Sequence, residues 1–172
     1  MIGKVLGGAF VLLGCSGIGF YTVIKNAVRI RMLKEFEQDL QYIYGEIEYA
    51  APDMAEIMER LSFRRGAFAV FFSRMQERIL SHQGMRLCEY WKEEMENIRG
   101  IENLNFSDRE FFMQVGENLG NMDRMTQLRT LGLFQKRLSE ILRKAESEYY
   151  GKAKISLVIG ITGGFFLVIL LF

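Results

Sequence analysis

The sequence has few of the residues that build metal sites, disulfides and β-hairpins. Its 172 residues include one histidine, two cysteines and one proline, and they contain no Asn-Gly or Asp-Gly pair. The lone His82 and the separated Cys15 and Cys88 exclude the usual zinc clusters, which need several Cys and His ligands. They also give no disulfide framework. The shortage of proline and of hairpin turns indicates an all-helical chain.

Charge is absent from both ends of the chain. Neither Val5–Ile24 nor Ile155–Phe172 contains a charged residue. Helices of these lengths reach roughly 27 to 30 Å, which matches the hydrocarbon core of a bilayer. Because a backbone inside lipid must satisfy its own hydrogen bonds, we predict that each run is a transmembrane helix.

The predicted fold is therefore all-α, a membrane hairpin of two transmembrane helices that bracket a cytoplasmic bundle of about six helices. The predicted domains are the N-terminal span at 1–24, the bundle domain at 25–154 and the C-terminal span at 155–172. All 21 acids, and every Lys and Arg except Lys4, lie between the spans. The bundle domain is near neutral and has no basic block, so we expect no nucleic-acid partner.

The N-terminus has two other interpretations. A cleaved signal peptide is disfavoured because the apolar run is too long and lacks a small-residue cleavage site. A lipoprotein signal is suggested by Leu12-Leu13-Gly14-Cys15. The chain stays apolar after Cys15, however, which favours a membrane helix over a lipid anchor.

Basic residues flank the inner end of each predicted span. Cytoplasmic flanks collect Lys and Arg, so the body is predicted in the cytoplasm and both termini outside. The residues that carry this prediction are Lys25, Arg29, Arg31, Lys34, Arg143, Lys144, Lys152 and Lys154.

Small residues recur at every fourth position in both spans. Such spacing lets two membrane helices approach closely, although glycine is also common in membrane helices in general. The packing partner of these faces is the other span, a second copy of the chain or another protein. The residues are Gly3 and Gly7 in the first span, and Ser156, Gly160 and Gly164 in the second.

A nearly heptad apolar seam follows the first span. It predicts one long helix from the membrane to about Ala51, packed in the core of the body. Pro52 and Asp53 are predicted in the first turn of the next helix. The seam residues are Ile30, Leu33, Phe36, Leu40, Ile43, Ile47 and Ala50.

Local capping signals mark two later helices. Ser107 and Glu110 form a predicted capping box that opens the fifth helix. Gly120 fits the left-handed residue that closes that helix, and Asn121 or Asp123 fits the cap of the sixth. The turn between them should be tight, with the two helices antiparallel. The last helix is predicted to continue into the final span.

The run Gly116-Glu117-x-Leu119-Gly120-x-x-Asp123-Arg124-x-x-Gln127 resembles the stage III sporulation protein AB family of endospore-forming bacteria. The hairpin layout and the Glu46-Ile47-Glu48-Tyr49 run before Pro52 add to the resemblance. That family is similar to the F-type inner-membrane platform proteins of type II secretion and type IV pilus systems. Those platforms hold two bundle domains, whereas this chain has one.

The resemblance implies a non-enzymatic membrane platform in a secretion-like sporulation channel between mother cell and forespore. It would lie in the mother-cell (outer forespore) membrane and couple a secretion-type ATPase, stage III sporulation protein AA, to the assembly. Other membrane proteins of the channel, the lipid bilayer and a second copy of the chain are further expected partners. A membrane-tethered helical adaptor or scaffold unrelated to an ATPase is the alternative.

The run also supplies the candidate partner-binding residues. Gly120 and Asp123 are also explained by the shape of the turn, whereas Glu117, Arg124 and Gln127 are either contacts or a polar brace between the fifth and sixth helices. No catalytic, cofactor or metal site is predicted; Glu46, Glu48 and Glu117 lack the histidines that a di-iron bundle needs. The full candidate set is Gly116, Glu117, Leu119, Gly120, Asp123, Arg124 and Gln127.

Overall fold

The computed structural model describes the backbone of residues 2–50, 52–81, 84, 86–120 and 123–171. Side chains are described between residues 23 and 151, with the same gaps. The regular elements in this part of the chain are all helices, and no β-strand is present among the described residues. The all-α prediction is therefore confirmed for the described residues.

Six α-helices and one short 3-10 helix are present in the described ranges. The first and last α-helices are 48 residues long each. The predicted continuity of the first helix to about residue 51 is confirmed, as is the passage of the last helix through Gly151. The elements are α1 (Ile2–Tyr49), α2 (Met54–Ser62), α3 (Ala69–Leu80), α4 (Leu87–Met95), the 3-10 helix (Ile101–Asn103), α5 (Phe106–Glu117) and α6 (Arg124–Leu171).

The membrane hairpin remains a prediction. Among the residues whose side chains are described, no helical segment has both the length and the apolar character needed to cross a bilayer. The predicted spans, Val5–Ile24 and Ile155–Phe172, lie almost entirely outside those residues. The predicted packing residues Gly3, Gly7, Ser156, Gly160 and Gly164 lie outside them as well.

The chain divides into two compact units. One contains Met1–Val28 and Arg143–Phe172, and the other contains Arg29–Leu142. We call the second one the bundle unit. All contacts described below lie within it.

Aromatic rings from several elements fill the core of the bundle unit around the α1 seam. Five of the seven seam residues are buried as predicted: Leu33, Phe36, Leu40, Ile43 and Ile47. The two end positions differ from the prediction, since Ile30 is half-buried and Ala50 is exposed. The Phe36 ring centroid lies 5.3 Å from that of Phe68, 4.1 Å from that of Phe112 and 6.4 Å from that of Trp91. Phe36 therefore joins α1 to the α3 N-terminus, to α4 and to α5. Each such burial stabilises the fold by roughly 2 to 3 kcal/mol.

Two predicted helix starts are wrong in detail. α2 begins at Met54 with Asp53 as its N-cap residue, so Pro52 precedes the helix. α5 begins at Phe106, and its capping box is formed by Asn105 and Asp108. The Asp108 amide donates to Asn105 Oδ1 at 2.8 Å, and the Asn105 amide donates to Asp108 Oδ2 at 3.2 Å. Asparagine caps helices as well as serine does, which explains why both patterns fit the sequence.

Candidate partner-binding turn and adjoining grooves

Gly116 is buried in α5 because the indole of Trp91 packs directly on its backbone. A Cβ atom at position 116 would lie 2.1 Å from Trp91 Cδ1 and 2.2 Å from Cγ. The Trp91 indole N–H donates to the Phe112 carbonyl at 2.9 Å, which fixes the ring in this position. Gly116 thus allows the close packing of α4 against α5.

Leu119 and Gly120 follow Asn118, the C-cap residue of α5, and Gly120 has the left-handed conformation that the sequence predicts. Leu119 is fully buried. Gly120 has φ +83°, the left-handed conformation that side chains rarely adopt, and a Cβ there would lie 2.9 Å from Leu87 Cδ2. Both residues therefore shape the turn and seat it against the start of α4.

Asp123 is the N-cap of α6, one of the two residues predicted for this role. Its Oδ1 accepts a hydrogen bond from the Thr126 amide at 3.1 Å. Hydrogen bonding to the Thr126 side chain, and then to the Thr126 amide, lowers the pKa of the Asp123 carboxyl. Asn121, the other predicted cap, lies outside the described residues, as does Met122.

Arg124 joins α6 to the C-terminal end of α1. Its Nε–H donates to the Ile47 carbonyl at 2.9 Å, and its Nη2 donates to the Glu48 carbonyl. The last carbonyls of a helix have no partner inside the helix, so a guanidinium there satisfies them and complements the helix dipole. The predicted brace thus exists at Arg124, but it joins α6 to α1 instead of joining α5 to α6.

Replacing Arg124 should therefore weaken the fold. We expect Arg124→Ala to lower the free energy of unfolding by about 1 to 2 kcal/mol, because two charge-assisted hydrogen bonds are lost. Glu117→Ala, on an exposed position, should stay within about 0.5 kcal/mol of the parent protein. Urea unfolding of the two variants followed by circular dichroism makes the comparison. An unchanged unfolding midpoint for Arg124→Ala would rule out the brace.

Glu117 and Gln127 differ from the other residues of the run. Gln127 is buried, and its Nε2 has no hydrogen-bond partner among the described residues. Glu117 is exposed at the last position of α5. Its side chain lines a surface groove, so it remains the residue of the run that is placed for contact with a partner.

That groove lies between α4 and α5 and has a volume of about 830 Å³. Apolar side chains of its lining are Met95, Ile101, Phe106 and Met113. Four carboxylates, Glu89, Glu96, Glu110 and Glu117, also line it, against the two cations Lys92 and Arg109. We call it the α4/α5 groove.

A second groove, the α1/α6 groove, has the opposite charge. It has a volume of about 930 Å³, and Met125, Leu128 and Leu133 contribute its apolar lining. Arg124, Arg129 and Lys136 also line it, against the single carboxylate of Glu48. The Gly116–Gln127 run thus contributes Glu117 to one groove and Arg124 to the other.

A buried ion pair far from the run joins α1 to α5. The Arg29 guanidinium donates to both carboxylate oxygens of Asp108, with Nε to Oδ2 at 2.6 Å and Nη2 to Oδ1 at 3.0 Å. The Asp108 side chain is fully buried. Applying the capping-box pattern with asparagine as the cap would have identified Asp108. No local signal could have identified Arg29, which is 79 positions away.

Two arginines, Arg60 in α2 and Arg64 in the loop that follows it, are paired with acids of α1 and α2. Arg60 lies 2.8 Å from Glu46 and 2.6 Å from Glu56, and hydrogen bonds, first to Tyr42 and then to Glu56, raise its pKa. Arg64 lies 3.2 Å from Asp39. These two arginines therefore hold α2 and the following loop against α1.

Asp39 is buried and has an unusual pKa. Burial raises its pKa from 3.8 to about 6; the nearby Arg64 lowers it by a smaller amount, and Glu35 raises it. The folded state therefore binds this proton more tightly than the unfolded state does. Protonation of Asp39 therefore stabilises the folded state. This stabilisation is fully present below about pH 4 and is lost as the pH rises through about 6.

Asp39→Asn should consequently stabilise the protein at neutral and alkaline pH. We expect a gain of roughly 2 kcal/mol at pH 8, because the cost of a buried carboxylate is removed, and no gain below pH 4. Urea midpoints of the variant and the parent protein, measured across this range, give the difference curve. A gain that is constant with pH, or a loss at pH 8, would contradict the assignment.

Comparison with known proteins identifies the family. The family profile described as stage III sporulation protein AB matches residues 4–172. A solved structure of stage III sporulation protein AB has a TM-score of 0.63 and 20% sequence identity, covering 72% of this chain and 97% of the solved chain. At that identity the likeness concerns the fold alone. No curated protein matches the chain. Because the profile spans nearly the whole length, the chain belongs to the stage III sporulation protein AB family.

Proposed function

We propose that this chain is a non-enzymatic platform protein of a sporulation membrane complex, and that its bundle unit docks a secretion-type ATPase. The observation that carries the proposal is the family match across residues 4–172. In this proposal Val5–Ile24 and Ile155–Phe172 span the mother-cell (outer forespore) membrane. The body lies in the cytoplasm, where an ATPase is accessible, and both termini lie outside.

The arrangement of polar groups supports the platform proposal. Asp108, Arg124 and Asp123 each bind a helix end or a buried partner, and Arg29 binds the buried Asp108. Charged groups used in this way fix the helices relative to one another, as a docking body requires.

The two grooves give the bundle unit surfaces on which a partner can bind. Large apolar side chains are exposed in them, with Phe106 at 83% and Met125 at 76%. Exposed aromatic and methionine side chains in a groove are typical of protein interfaces. The proposal therefore assigns coupling to a surface of the bundle unit and anchoring to the two ends of the chain.

Binding of the full chain to the ATPase of the complex, stage III sporulation protein AA, tests the proposal. The chain is reconstituted in lipid nanodiscs, and the ATPase is added without nucleotide, with ADP and with a non-hydrolysable ATP analogue. We expect binding that depends on the nucleotide, with empty nanodiscs as the control. If the reconstituted chain is folded, as judged by its helical circular dichroism, and binds the ATPase in none of the three nucleotide states, the adaptor or scaffold unrelated to an ATPase is favoured.

A further inference from the structure

One face of α5 carries an alternating apolar and acidic stripe along the α4/α5 groove. Phe106, Glu110, Met113 and Glu117 follow one another at spacings of four, three and four residues. Side chains at that spacing lie on the same face of a helix. All four line the groove. The stripe has the period of a helix-packing seam, and it lines the α4/α5 groove along the length of α5.

Phe106 is the apolar anchor of this stripe. It stands at the first position of α5, and the relative solvent exposure of the residue is 83%. Core phenylalanines of the bundle unit, such as Phe111 and Phe112, are fully buried. Covering an exposed phenyl ring removes apolar surface from water, and aromatic anchors in grooves are the usual centres of interfaces.

The carboxylates of the stripe set the charge of the occupant. Glu110 and Glu117 are exposed and lie two helical turns apart, roughly 10 Å along the axis. Glu89, on the opposite wall of the groove, already forms an ion pair with Arg86, whose Nε lies 3.5 Å from Glu89 Oε1. The lining as a whole carries four acids against two cations. A helix with Lys or Arg seven residues apart would match both α5 carboxylates.

Glu117 is also the member of the Gly116–Gln127 run that the fold leaves available. Gly116 and Gly120 are required by Trp91 and Leu87. Asp123 and Arg124 bind backbone groups of two helix ends. The structural roles of these residues leave Glu117, in the α4/α5 groove, as the candidate for recognition.

We propose that the α4/α5 groove docks an amphipathic helix of a partner protein, with apolar residues toward Phe106 and Met113 and with Lys or Arg seven residues apart opposite Glu110 and Glu117. The inference rests on the proposed function, of which it names the docking surface. The α1/α6 groove has the opposite charge, and Arg124 in it is already bound to α1. It therefore serves as the control surface.

Cys88 permits a direct test, because its side chain lines the same groove. In the full chain with Cys15→Ala, Cys88 is the remaining thiol. A synthetic helical peptide with leucine at every third or fourth position, lysines seven residues apart and one cysteine is linked to Cys88 by disulfide exchange. A twin peptide carries glutamate in place of each lysine. Intact-mass spectrometry measures the mercaptoethanol concentration that releases half of each peptide.

The lysine peptide should need about tenfold more mercaptoethanol than its glutamate twin. Phe106→Ser should lower the mercaptoethanol concentration that releases half of the lysine peptide. The double variant Glu110→Gln/Glu117→Gln should abolish the difference in this concentration between the two peptides. The matched control, Arg129→Ala/Lys136→Ala in the α1/α6 groove, should leave the difference between the two peptides unchanged. Equal release of the two peptides, or a difference that survives the double glutamine variant, would overturn the proposal.

The same variants distinguish this inference from the proposed function. If the ATPase binds the nanodisc-embedded chain and the groove variants do not weaken that binding, the groove proposal is wrong and the platform function stands. If the lysine peptide docks as expected but the ATPase does not bind, the groove is a docking surface and coupling to an ATPase is wrong.

Discussion

Gly116→Ala should destabilise the bundle unit by about 3 kcal/mol or more, although alanine is the better helix former. The new Cβ would lie 2.1 Å from Trp91 Cδ1, far inside van der Waals contact. The indole cannot move away freely, because its N–H donates to the Phe112 carbonyl and its ring packs 4.8 Å from that of Phe71. Overpacking of this kind forces strained rotamers or backbone shifts. Urea unfolding of the full chain in detergent measures the loss.

Gly45→Ala is the matched control for this substitution. Gly45 also lies inside a long α-helix, and a Cβ there would have no atom within 4 Å. We expect it to stabilise α1 by about 0.5 to 1 kcal/mol, because alanine loses less backbone entropy than glycine. If both alanines raise the unfolding midpoint, the contact between Trp91 and Gly116 is not tight, and the account of α4 packing on α5 fails.

The second large effect is expected at Asp108. Asp108→Ala should lower the free energy of unfolding by about 3 to 5 kcal/mol, because it leaves the Arg29 guanidinium without the carboxylate that it binds and removes the α5 capping box. Thermal and urea unfolding of the variant give the loss. A double-mutant cycle with Arg29→Met separates the ion pair from the cap, since the methionine keeps an apolar stem.

Ser107→Ala tests the competing assignment of the cap. The sequence pattern alone placed the capping box at Ser107 and Glu110, whereas Asn105 and Asp108 form it. Ser107 is exposed, so its loss should change the free energy of unfolding by less than about 0.5 kcal/mol. A loss at Ser107 as large as that at Asp108 would show that α5 starts two residues later, with Ser107 as its N-cap.

Local sequence rules predicted much of the fold and of the turn. The burial of Leu33, Phe36 and Leu40 followed from a repeat of three and four residues, which any helix with one buried face must show. The left-handed Gly120 and the N-cap Asp123 followed from the backbone requirements of helix ends. These features depend on neighbouring residues, so a single sequence contains the information.

The contacts between distant segments could not be predicted in this way. Arg29 and Asp108 are 79 positions apart, and Trp91 is 21 positions from the carbonyl that fixes it. The spacing of residues in the sequence does not show that α4 packs on α5. The role of Gly116 and the groove beside Glu117 therefore could not be predicted from the sequence. Arg124 was identified as a contact or a brace, but its partner, the end of α1, depends on the tertiary fold.

The position of Trp91 gives the protein an internal optical reporter. The chain has one tryptophan, and it is fully buried between Phe36, Phe71 and Gly116 at the junction of α1, α3, α4 and α5. An indole in such surroundings emits at shorter wavelength than one in water. Its emission should shift to the red when these four helices separate, and should stay constant when a ligand covers only the exposed face of α5. Fluorescence can thus distinguish a variant that unfolds the bundle unit from one that only removes a contact.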